Sequence, residues 1–218
     1  MVKAAVLVKL GIVIIVLGGI QMKKVKLGLV AVMSAAVFSG CSIMDMIAPQ
    51  ANGVLMYGDE AVVQQTIDQH KKEIESEAKY TVKFDKVNDQ KVLIMNKTTA
   101  EKFVKEKLLR KVDGEDVKPI TTLPSVSNDA GIVFAKTEQS DVVIGGKKMK
   151  YEGNVILGDA RKYADMFAVV SDSAYEALSA PVKTVGVVEF KENPKKEIYP
   201  NIRKDSKLEE SHMLNLKP

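Results

Sequence analysis

The chain has 218 residues, 46% of them hydrophobic and 28% charged, and its 32 basic and 28 acidic side chains leave a formal charge of +4. Five lysines and no acid fall within residues 1–40, so the remainder carries 27 bases against 28 acids, a formal charge of −1. A near-neutral remainder without Trp and poor in aromatics has neither the cationic footprint nor the stacking side chains of a nucleic-acid binder, and a lone cysteine excludes a disulfide framework.

In chain order, Ala4–Ile20 is an apolar run interrupted by Lys9, and Met22 follows at once. The reading is that translation begins at Met22 and that residues 1–21 stem from an upstream mis-start; the alternative is an extra apolar segment forming a membrane hairpin that turns near Gly18 and Gly19. From Met22 the pattern of a secretory signal is complete. Lys23, Lys24 and Lys26 form the basic region, Leu27–Phe38 is apolar or small throughout, and Ser39 and Gly40 stand directly before Cys41. The uncharged run is about 14 residues, short of the about 20 that a spanning helix needs. An ordinary signal peptide, or an anchor with a buried cysteine, is the other reading of this stretch.

Met22–Cys41 resembles the lipobox region of bacterial lipoproteins, with Phe38 where that motif usually has Leu. The resemblance covers these twenty residues only and brings no family for the folded part. It implies that residues 22–40 are a signal peptide cut before Cys41, and that Cys41 is the lipidation site, carrying a diacylglyceride and a third chain of the palmitate class. By the sorting rule of Gram-negative bacteria, Ser42 after the cysteine implies the outer membrane, facing the periplasm or the surface. With its thiol acylated, Cys41 is lost to zinc, redox or nucleophilic chemistry.

Residues 41–52 then read as a lipidated tether, about 35 Å long at full extension. Its apolar half, Ile43–Ile47, either lies on the bilayer or packs on the domain. Gly53–Tyr57 reads as a strand, with Asp59 as the N-cap of a helix over about Glu60–Ala78 whose stripe is Val63, Ile67, His70, Ile74 and Ala78. His70 is a candidate ligand or acid-base group, although a lone His on such a stripe is ordinarily a boundary residue. Tyr80–Lys86 alternates, Asn88 and Asp89 signal a turn, and Lys91–Met95 completes a hairpin. Thr98 with Glu101 forms a capping box for a helix carrying Ala100, Phe103, Val104 and Leu108.

Asp113–Ala130 reads as a long loop, which marks it as either a mobile insertion or a contact segment. Gly131–Lys136 and Asp141–Ile144 read as strands, and Gly145-Gly146 as a two-residue turn into Lys147–Tyr151, continued over Asn154–Leu157 past a bulge at Gly153. Asp159 is expected to cap a short helix ending at Ala164. Met166–Ser171 and Val182–Phe190 read as buried strands, with a capping box at Ser173 and Glu176 between them. Residues 192–218 look polar and flexible, with a docking peptide as the alternative. The expected architecture is one α+β domain over 53–191, with a mixed or antiparallel sheet of seven or eight strands packed by about four helices.

No motif in the chain specifies a reaction. His70 and His212 lack metal-site spacing, no Gly-x-Ser-x-Gly elbow or phosphate cradle occurs, and Asp159 and Asp165 are not set apart from other surface carboxylates. The expectation is therefore no catalytic residue, cofactor or metal, and a membrane-held envelope protein that binds a protein partner in assembly or adhesion. A small-ligand carrier is the alternative, to be recognised by an enclosed apolar cavity.

Overall fold

A computed structural model describes residues 51–205 and 207–217; the signal, Cys41 and the tether through Gln50 lie outside the described residues. The described residues form a single α+β domain. Nine strands make one mixed sheet in the order β12-β1-β11-β2-β3-β10-β6-β8-β7, and three make a smaller sheet, β5-β4-β9. The strands are β1 (Gly53–Gly58), β2 (Ile74–Val87), β3 (Gln90–Asn96), β4 (Leu109–Asp113), β5 (Asp116–Pro119), β6 (Gly131–Ala135), β7 (Val143–Ile144), β8 (Lys147–Tyr151), β9 (Val155–Leu157), β10 (Met166–Val170), β11 (Val182–Phe190) and β12 (Glu210–Leu214). The helices are α1 (Glu60–Gln69), α2 (Lys97–Lys105), α3 (Asp172–Ala177) and α4 (Ile198–Asp205).

The large sheet is covered on both faces, which is why β3, β6 and β10 are unbroken apolar runs rather than alternating ones. Along β10, Phe167 and Val169 join a core with Leu55, Tyr57, Phe103, Leu109, Leu157 and Val185, beneath α2 and the small sheet. Met166, Ala168 and Val170 face the other way, against Tyr175 of α3. At the far end of that same face, Val63 and Ile67 of α1 and Ile202 of α4 pack on Val54, Met56 and Val188. Of the core residues expected from periodicity, Val63, Ile67, Ile74, Val82, Leu93, Phe103, Val133, Phe167, Val169 and Val187 are buried, and Phe84 is half-buried against the rest.

Several local expectations are corrected by tertiary structure. The first helix stops at Gln69 rather than Ala78. Ile74 and Ala78 match a helical stripe by spacing, but residues 74–83 pair with the Val-rich β11 instead, and pairing outweighs the small differences of intrinsic propensity. The cap of α2 is Asn96, whose side chain accepts from the Thr99 amide, and that of α3 is Ser171, which accepts from Ala174. At the other end of α2 the Lys107 amide donates to Val104 and the Leu108 amide to Phe103, a Schellman closure that puts Lys107 at φ +59° where Gly is the usual residue. No helix follows Asp159. Gly145 and Gly146, at φ +56° and +74°, make the expected turn of β7 and β8. Asn154–Leu157 does not continue β8; β9 crosses to pair with β4 in the small sheet. The loop expected over 113–130 contains β5, and Ile120, Leu123 and Val126 pack on the main core.

The largest correction concerns residues 192–218, which are not a flexible tail. β12 pairs antiparallel with β1 from Glu210–Tyr57 to Leu214–Gly53, and Tyr199 of α4 donates its hydroxyl to the Ser211 carbonyl at 3.0 Å. Pro200 reads as a breaker, yet it lies in the first turn of α4, where a missing N–H leaves no helical bond unmade. A chain stopped after Lys191 should accordingly be unfolded or aggregated by circular dichroism and gel filtration, whereas a dispensable tail would leave the native spectrum. Phe103→Ala should lower stability in urea by about 3–5 kcal/mol, the range for emptying a buried aromatic site.

Candidate functional site

Where β12 closes on β1, three rings stack in the interior. Tyr57 and Tyr163 lie 5.3 Å apart between centroids at 12°, and Tyr163 and His212 lie 5.9 Å apart at 18°. All three are at least 95% buried. Tyr57 Oη, Tyr163 Oη and both ring nitrogens of His212 make no well-formed hydrogen bond, a costly state for buried polar atoms. Gly158 sits over the imidazole at φ +70°, and a Cβ there would come within 2.7 Å of Nε2, so only glycine satisfies both the backbone and the space. Burial lowers the His212 pKa to about 4, assisted by Lys162 and, less, by Arg110; the nearby Leu157 backbone opposes the shift without cancelling it. Burial also raises both phenols, Tyr57 further by Glu209 and Asp59. The cluster is therefore neutral across the physiological range, and it acts as packing.

Beside it, Arg110 of β4 holds three segments together. Its Nε donates to the Lys107 carbonyl at 3.1 Å, Nη1 pairs with Asp159, and Nη2 donates to the Asn215 carbonyl at 2.6 Å. The second Asp159 oxygen accepts the Asn215 amide at 3.0 Å. A nearly buried guanidinium with every contact charge-assisted or directed at a carbonyl is a strong tie, and it fixes the segment after β12 to the small sheet. Asp159, expected as a helix cap, is consumed by this role. Lys83 plays a similar part on the other face: 8% exposed, it donates to the carbonyls of Tyr175 and Leu178 at 2.6 and 2.7 Å and closes the C-terminus of α3, where a cation is favoured.

The remaining candidates lie at the surface. His70 caps the end of α1, half-buried, in an open groove of about 460 Å³ with Glu73, Lys191 and Glu197. Asp165 accepts the Lys91 amide at 2.8 Å and is not brought together with Asp159 as an acid-base pair by any contact. Among the described residues no group of three or more His, Cys, Asp or Glu side chains is placed to hold a metal. Two more open grooves, of about 480 and 300 Å³, adjoin the point where the described chain begins. Asn52 there donates to Glu189 at 3.0 Å and accepts the Leu216 amide at 2.8 Å. Among the described residues, the exposed large apolar side chains, Val117, Val143 and Val182, lie on three different strands.

His212 gives the cluster a measurable signature. Its folded pKa, about 4, lies below the ordinary 6.5, so between these values the unfolded chain binds a proton that the native protein refuses. Stability from this group is complete above pH 6.5 and is lost as pH falls towards 4, by up to about 3 kcal/mol. Urea unfolding of the wild type and of His212→Phe at pH 7 and pH 4.5 should show a smaller acid loss in the variant. Equal losses would mean that His212 is not held neutral.

Residues 51–217 match a family described as an uncharacterised lipoprotein family. A 1.5 Å crystal structure of a candidate lipoprotein from Bacillus anthracis is 64% identical, aligned over 76% of this chain and 99% of that one, with a TM-score of 0.74. A search of curated proteins finds no match. The family match falls on the folded domain, outside the lipobox-like stretch Met22–Cys41, and the chain belongs to this lipoprotein family.

Proposed function

We propose that the protein is held at the cell envelope by acyl chains on Cys41, and that its domain binds a protein partner there and performs no catalysis of its own. The observation that supports this reading is the position of the grooves. Three open, mixed polar and apolar depressions lie near the end where the described chain begins: one takes in Glu189 and Leu216, one Glu73, Lys191 and Glu192, and one Asn52, Lys191, Glu192 and Lys217. Cys41 is about ten residues from that end, so the tether keeps these surfaces within a few nanometres of a membrane and raises the effective concentration of any membrane-bound partner. The alternative of a ligand carrier calls for an enclosed apolar chamber, whereas these depressions are open and carry charge.

In a bacterium with two membranes, Ser42 directs such an anchor to the outer membrane; in one with a single membrane, the anchor lies on its external face. One experiment tests anchor and partner together: crosslinking and affinity capture of the wild type and of Cys41→Ala from their own envelope. The wild type should fractionate with membrane and capture a discrete protein, while Cys41→Ala should appear as uncut precursor or in the soluble fraction and lose that protein. A wild type found fully soluble contradicts the anchor, and substrate turnover by the purified domain contradicts the non-enzymatic reading.

A further inference from the structure

β2 has 14 residues, and only part of one of its edges is occupied. β11 runs along one side from Ile74 to Lys83, but β3 covers the other side only from Lys83 to Val87. From Glu75 to Val82 no described residue pairs with β2 on the β3 side. Backbone groups of a strand point alternately to its two sides, so this stretch presents a row of unpaired donors and acceptors. Glu75, Ser76, Glu77 and Lys79 are exposed, and no proline interrupts the strand. Charges and the irregular pairing opposite Glu189 and Phe190 are familiar protection against unwanted sheet extension. They do not account for the groove that opens over the paired face of β2 and β11 next to this stretch.

That groove, of about 480 Å³, brings Ala78, Val187 and Leu216 together with Lys105, Glu106 and Lys107 at the end of α2. Its acids are engaged: Glu106 by the Tyr80 hydroxyl, Glu77 by Lys71 at 2.6 Å, Glu189 by Lys217 at 2.6 Å. Lys105 and Lys107 have no ion pair or side-chain hydrogen bond among the described residues. Lys107 also stands at a positive-φ position that would favour Gly, so the local backbone does not explain its presence. We propose that the β2 edge from Glu75 to Tyr80 takes an extended segment of a protein partner as an added strand, one whose side chains on the face of Ala78 are acidic and meet Lys105 and Lys107. This deepens the partner-binding reading and rests on it.

The test uses the full lipidated chain in detergent micelles and a fluorescent nine-residue peptide alternating Val and Asp. The peptide should bind by anisotropy and slow hydrogen exchange at Glu75–Tyr80, and its Val/Lys counterpart should not. The variant Lys105→Ala/Lys107→Gly, in which Gly suits the closure of α2 and so keeps the fold, should bind about 3- to 10-fold more weakly, the range for two partly exposed ion pairs. N-methylation of alternate peptide amides, in one of the two possible registers, should abolish binding, because strand addition depends on main-chain hydrogen bonds. Absence of binding, or binding indifferent to both changes, overturns the proposal even if envelope capture yields a partner. So does protection of Glu75–Tyr80 in the free chain that disappears when Ile43–Ile47 are deleted, since the tether would then own the edge.

Discussion

The fold depends on the insertion of β1 between β11 and β12. Gly53–Gly58 pairs with β11 on one side and Gly53–Tyr57 with β12 on the other, so the first strand after the tether is an interior strand, buried along its whole length. Its alternation supplies two cores at once. Val54 and Met56 point to α1 and α4, while Leu55 and Tyr57 point beneath the small sheet. Both ends of the described chain therefore meet in one place, and neither can be removed without uncovering the other. Arg110 and Asp159 secure the junction by gripping Asn215 just beyond β12.

What was legible in the sequence was whatever rested on local pattern. β11 has the limits that its Val-rich run suggested, the Gly145-Gly146 turn is present, and the buried faces of β3, β6 and β10 follow their apolar runs. What was not legible depended on partners distant in sequence. Ile74 and Ala78 fit a helical stripe and a strand equally well, and only the proximity of β11 decides between them. β4 is short and only partly buried and β5 is short and largely exposed, so they carry little periodicity, and β12 is hidden in a polar context where Ser211 and His212 become buried only through β1.

The candidate sites divide along the same line. Cys41 stands out because the resemblance to a lipobox rests on a linear segment, whereas His212 is inconspicuous in the sequence and acquires its depressed pKa through burial in the folded domain, assisted by Lys162 and, less, by Arg110. The free edge of β2 is a matter of where β3 ends, and Lys105 and Lys107 matter because their carboxylate neighbours are already engaged. A positive-φ Lys closing α2 offers a clue in hindsight, since side chains in that conformation ordinarily yield to Gly. Reading it from the sequence would have required knowing which residue ends the helix.

Anchor and surface form one proposal: acyl chains on Cys41 would hold a domain whose open depressions gather near the end where the described chain begins. The most direct test is site-specific photocrosslinking of the anchored wild type in its native envelope, with the photoreactive group placed at Lys105 in one protein and at Lys148, on β8 near the opposite end of the sheet, in another. Both positions are exposed. The account predicts one discrete adduct from Lys105 and none from Lys148, with the Lys105 adduct lost in Cys41→Ala. Equal labelling from both positions, or a Lys105 adduct that persists without the anchor, would contradict it.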